Sequence, residues 1–323
     1  MTEDGQRLVE ESRTQAYLER FQEELRDLLP VATGFLSALG EQIRQLLASH
    51  KVDLGTPVEG RVKSWPSIEA KLGSRHFGGA SLTDLDDLVG LRVILLFHRD
   101  LARTCDLLRS TFDVTREEDK AVMLAETSFG YQSVHLVIRL PKQWLSVPTL
   151  APFEGLRAEI QVRTLPQHLW AAASHVLQYK HEDAVPAPVR RSLSRVSALL
   201  ETVDTEFEHV LQERDKYRAS LAGNHGQQRL NVDLLAAILD ESLPAANRRA
   251  YEAYWLLLWE LKALGVKTAR QLRDIIGRHS ESVLASKARS FFTHAGLLRV
   301  MLEEEFGRDF YSKIWDRVGE RYR

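Results

Sequence analysis

The chain has 323 residues, enough for one large or two modest domains, and its 44% hydrophobic and 27% charged residues are those of an ordinary globular protein. A formal net charge of −2 excludes a global basic field of the kind that draws a protein to nucleic acid, and a single cysteine, Cys105, excludes an internal disulfide or a multi-thiolate metal site. No apolar run approaches the ~20 residues of a membrane helix, and the acidic start Met1-Thr2-Glu3-Asp4-Gly5 lacks a signal peptide's apolar core, so a cytoplasmic chain with no membrane partner is expected.

Residues 8–49 read as helical. Leu8, Tyr17, Phe21, Leu25, Leu28 and Leu29 recur at helical spacing, and Pro30 is expected to end or kink this segment before a second stripe of Phe35, Leu36, Leu39, Ile43, Leu46 and Leu47. Residues 58–164 alternate strand-like and helix-like segments. Leu88–Phe97 is nearly all apolar, as a strand covered on both faces would be. Asp100–Phe112 reads as a helix, and Ser133–Leu140 alternates as a strand. In Leu156–Thr164, Ala158, Ile160 and Val162 face one way, while Arg157, Glu159, Gln161 and Arg163 face the other. Such a polar face is either solvated or lines a site. Pro166–His181 reads as a helix with proline in its first turn. Val189–Ala219 is a long helix whose apolar stripe must be covered by the preceding core, by later helices or by another copy of the chain, so a homo-oligomer is one expectation. Residues 223–228 have linker composition, and from Leu230 onward the chain is helical with breaks expected near Pro244, Gly265 and Gly277.

Four short segments carry the chemistry. The first is basic: Arg61, Lys63, Lys71 and Arg75 supply the cations that phosphates need, with Ser67 placed to cap a helix beginning near Ile68. Alone, this group also fits a solvated basic face. The second is Asp87-Leu88-Val89-Gly90-Leu91-Arg92, where a charge inside an apolar run must be paired or functional. Positions 87 and 92 would point to opposite faces of a regular strand, so a bulge at Gly90 is one expectation. The third, Phe129 to His135, offers Tyr131, an aromatic able to stack on a base. The fourth, Glu159-Ile160-Gln161-Val162-Arg163-Thr164, supplies a second carboxylate. Two carboxylates against substrate phosphates is a usual setting for Mg²⁺.

These segments, in this order, resemble the synthetase domain of the RelA/SpoT family, which makes the alarmones ppGpp and pppGpp. The resemblance covers roughly residues 50–185 and extends to Trp170, His175, Tyr179 and Lys180. It implies an α+β fold: a mixed-sheet, nucleotidyltransferase-like core flanked by helices, followed by an all-α C-terminal region. It implies Mg²⁺ held by Asp87 and Glu159, and ATP bound by Arg61, Lys63, Ser67, Lys71, Arg75 and Arg92, with adenine between Arg61 and Arg92. The acceptor nucleotide, GDP or GTP, falls to Tyr131, His135, Gln161, Arg163 and His175. Where the family often has Lys and Asn before Gly-Tyr, this chain has Ala125-Glu126-Thr127-Ser128-Phe129, and Ser174 stands where many members have Glu. These departures leave a tRNA 3′ end as an alternative acceptor, as in toxin-type relatives. A non-catalytic nucleotide sensor or RNA-binding regulator is the rival of a different class.

The division expected is N-terminal helices over 1–50, a synthetase domain over 51–185, a connecting helix over 186–222 and a helical domain over 230–323. In the last, Trp255, Leu256, Leu257, Leu258, Trp259 and Leu261 are expected to form a core, and Leu261–Thr268 resembles a helix–turn–helix junction.

Overall fold

A computed structural model describes residues 3–73, 79–119, 133–176, 186–221, 226–249, 252–285 and 292–320. The chain forms two compact units, Met1–His209 and Val210–Arg323. The class is α+β, a five-stranded mixed sheet with helices and a helical C-terminal region.

In the first unit, α1 (Glu3–Ser49) is a single helix with Pro30 inside it. The expected break is absent because apolar residues on both sides of Pro30 are anchored. Phe21 on one side and Phe35, Leu39, Ile43 and Leu47 on the other are fully or almost fully buried. Burying such side chains contributes about 1.5–3 kcal/mol each, which offsets the ~3 kcal/mol cost of an internal proline. The strands are β1 (Glu59–Val62), β2 (Val89–Leu95), β3 (Asp113–Asp119), β4 (Val134–Arg139) and β5 (Ala158–Thr164). Their spatial order is β1-β2-β5-β4-β3, with β2 and β5 parallel and the other pairs antiparallel.

The alternation expected for the last strand holds. Ala158, Ile160 and Val162 are fully buried and join Val89, Leu91, Val93 and Leu95 in a core shared with α1 and with Cys105 and Leu108 of α3 (Asp100–Thr111). On the opposite face, α4 (Leu165–Val176) approaches β2 and β5. Leu88–Phe97 is not covered throughout: Gly90 and Arg92 remain partly open. No bulge occurs at Gly90, since β2 keeps continuous register with both neighbours; a register shift occurs instead in β3, between Val114 and Arg116.

The second unit has its own core, built by α6 (Val232–Ser242), α7 (Tyr254–Ala263), α8 (Ala269–Leu284), α9 (His294–Phe306) and α10 (Arg308–Glu320). The unit boundary falls within α5 (Ala187–Ser220). In α7, Leu257, Leu258 and Leu261 are buried, but Trp255 and Trp259 are exposed, so the apolar run is only partly core. The helix α8 continues through Gly277, because Leu272, Ile275, Ile276 and Val283 share one buried face. Gly265 ends α7 in the left-handed region, with φ of 80°, and Thr268 caps α8. Glu260, fully buried, is held by Arg299 at 2.9 Å and by the Tyr311 hydroxyl at 2.5 Å.

Candidate functional site

Strand register places the polar side chains in two rows across the open face of the sheet. One row runs Arg61, Gly90, Glu159, Val137; the next runs Glu59, Arg92, Gln161, His135. A cleft of about 240 Å³ lies over them, lined by Arg61, Lys63, Asp87, Gly90, Arg92 and Glu159 among others. Asp87 lies two residues before β2 begins. It therefore escapes the alternation that would send it away from Arg92, and both reach the same cleft. A Cβ built on Gly90 meets nothing within 4 Å, so this glycine leaves the cleft floor open between Arg61 and Glu159.

Asp87 is anchored from two elements. Lys63, just after β1, donates to Oδ2 at 2.6 Å, and Lys71 in α2 (Trp65–Leu72) donates to Oδ1 at 2.8 Å. The helix begins at Trp65 rather than near Ile68. Ser64 is its N-cap residue, and Ser67 lies in the first turn with its hydroxyl 3.0 Å from that of Ser64. The loop before Asp87 is pinned by Arg157, which donates to Asp86 at 2.8 Å and to the Thr83 carbonyl at 3.1 Å. Burial alone pushes the Asp87 carboxyl up, but the two lysines outweigh it and hold it below its usual range.

Glu159 is held from within the sheet. His135 Nδ1 is 2.8 Å from Oε1, Gln161 donates to Oε2 at 2.9 Å, and Ser133 Oγ lies 2.7 Å from His135 Nε2. Burial raises this carboxyl too; the His135 and Gln161 contacts then bring it below the ordinary range, against the opposing charge of Asp87. Both acids are thus ionised at neutral pH and sense one another. No group of three or more acidic, histidine or cysteine side chains suited to a metal occurs among the described residues. Two carboxylates alone still fit a hard cation that takes its other oxygens from phosphates and water.

The structure brings together Arg61, Lys63, Lys71, Asp87, Arg92, His135, Glu159 and Gln161. Arg163 lies further along β5 and is buried. Arg75 and Tyr131 lie outside the described residues, as does the side chain of His175. Glu59 was not singled out by sequence reasoning, although its place two residues before Arg61 in a strand puts both on one face.

The depressed Asp87 pKa has a measurable consequence. Its contribution to stability is present above the unfolded value, about 4, and is lost as pH falls through the lower folded value. The urea midpoint of Asp87→Asn is therefore expected to vary less between pH 5 and pH 2 than that of the unchanged protein. Parallel curves for the two proteins would remove Asp87 from the acid response.

A family model described as a region found in RelA/SpoT proteins matches residues 60–184 and ends before α5. GTP pyrophosphokinase YjbM of Bacillus subtilis is 28% identical over 165 residues, covering 51% of this chain and 76% of that protein. GTP pyrophosphokinase YwaC of the same organism is 28% identical over 161 residues, covering 48% and 73%. A GTP pyrophosphokinase family protein from Streptococcus pneumoniae superposes with a TM-score of 0.51 at 26% identity, over 60% of this chain and 96% of that one. Residues 60–184 thus match the region found in RelA/SpoT proteins and are similar to these pyrophosphokinases, and the chain adds a C-terminal helical region beyond it.

Proposed function

We propose that this protein transfers the β,γ-pyrophosphate of ATP to the 3′-hydroxyl of GDP or GTP. The observation that carries this reading is the pair of ionised carboxylates, Asp87 and Glu159, in one cleft with Arg61, Lys63 and Arg92. Phosphoryl-type transfer asks mainly for positioning and charge neutralisation. Arg61, Lys63, Lys71 and Arg92, with Arg75 and Ser67, would bind ATP. Mg²⁺ held by Asp87 and Glu159 would neutralise charge on the transferring phosphates. Glu159, kept ionised and fixed by two donors, suits orienting and electrostatic work better than carrying a proton. His135 and Gln161 fix Glu159 while edging the acceptor side, where Tyr131, Arg163 and His175 would complete the contacts. No helix among the described residues is long and apolar enough to cross a membrane, and a cytoplasmic enzyme is the setting this reading implies.

The test is parallel incubation of the protein with Mg²⁺ and ATP labelled in its β- and γ-phosphates, with GDP, GTP or deacylated tRNA as acceptor. Label on GDP or GTP supports the reading, label on tRNA replaces the acceptor, and no transfer from saturating ATP leaves the sensor. Tyr131→Ala is expected to weaken acceptor binding about tenfold, the loss of one base–aromatic stack of roughly 1–3 kcal/mol, with ATP binding unchanged. An unchanged acceptor affinity beside a weakened ATP affinity would reverse the assignment.

A further inference from the structure

We infer that Arg163 and His168 form a subsite for a phosphate-class oxyanion at the junction of β5 and α4, beside the cleft. Arg163 is only 7% exposed, and its buried Nε has no hydrogen-bond partner. It forms no ion pair among the described residues. His168, in the first turns of α4, likewise has a buried Nδ1 without a partner. The two orphaned polar groups lie on adjoining elements, and buried polar atoms generally find a partner.

The surroundings of the two groups are electropositive as well as buried. Arg163 lies two residues beyond Gln161 on the face that Arg92 shares. The neighbouring Arg92 repels it, and Glu59 is the acid that offsets this in part. Burial and Arg92 pull the Arg163 pKa down to about 10, which still leaves a cation at neutral pH. Burial and the same two arginines press His168 towards its neutral form, an imidazole with one N–H to donate. A desolvated guanidinium without a carboxylate costs stability unless an anion completes it. Guanidinium and imidazole donors together match the several acceptor oxygens of a phosphate group. The oxyanion has two sources: a phosphate of the nucleotide in the cleft, which rests on the function proposed above, or a separately bound phosphate.

Thermal unfolding of the full chain in a phosphate-free buffer tests this without any transfer reaction. Inorganic phosphate, pyrophosphate, ATP and GDP are added separately at constant ionic strength. Arg163→Met is expected to raise the Tm of the ligand-free protein by about 3 °C, because it removes a buried charge that Glu59 only partly offsets. It should also abolish the Tm rise that the oxyanion gives the unchanged protein. Arg163→Lys keeps the charge without the planar fork and should retain part of that rise. A rise with inorganic phosphate identifies a separate oxyanion, and a rise with nucleotides alone identifies a substrate phosphate. The subsite is overturned if Arg163→Met lowers the ligand-free Tm, if its anion-induced rise equals that of the unchanged protein, or if no anion shifts the unchanged protein. Loss of transfer with these shifts intact would count against the proposed function and leave the subsite standing.

Discussion

Asp87→Asn and Glu159→Gln are each expected to lower single-turnover transfer by about a hundredfold or more, the scale of losing one preorganised charge at a transition state. Each change keeps volume while removing a negative charge and turning one acceptor oxygen into a donor. At position 87 the loss removes the negative charge that Lys63 and Lys71 meet at 2.6 and 2.8 Å. At position 159 the amide can still meet one of its two present neighbours, His135 and Gln161, so the sheet should keep its form. Circular dichroism and the cooperativity of unfolding should therefore remain those of the unchanged protein. Transfer near the original rate at saturating Mg²⁺ in either variant would sink the two-carboxylate assignment.

Gly90→Leu is expected to remove nucleotide binding while leaving the fold at least as stable. A Cβ at this position has open space, and Gly90 is not among the glycines with positive φ, so the backbone accepts a side chain. Glycine inside a strand is itself destabilising by roughly 0.5–1 kcal/mol. The added leucine would extend into the cleft between Arg61 and Glu159. Gly90→Ala, which fills less of the cleft, should lie between the two in ATP affinity. The pair is read by equilibrium binding of a non-hydrolysable ATP analogue and by denaturant unfolding. ATP affinity unaffected by leucine would mean that the nucleotide does not lie over this row.

The alternation of β5 was legible from the sequence, because a period of two and charged residues among apolar ones leave a clear trace. The conflict between Asp87 and Arg92 was not soluble there. It rested on extending β2 back to position 87, and strand ends are set by pairing partners distant in sequence. Pro30 and Gly277 misled for a related reason. Local propensity favours a break at each, but long buried faces on both sides, visible only after folding, hold α1 and α8 continuous. The partners of Asp87 and Glu159 were equally hidden, since Lys63 and His135 each lie 24 residues away in the chain.

The central place of β5 governs the order in which the molecule can be completed. It is the last strand to be synthesised, yet it lies between β2 and β4, which have no pairing with one another. Until Thr164 has been made, β1–β2 and β3–β4 can exist only as separate ribbons, with the edges of β2 and β4 unpaired. Phe35 must likewise wait for Phe153, whose ring centroid lies 5.5 Å away in the finished core. At about 5–20 residues per second, that interval of synthesis lasts roughly 6–24 s. The strand that closes the sheet also delivers Glu159 and Gln161, so a nascent chain acquires both carboxylates only at the moment its core is sealed.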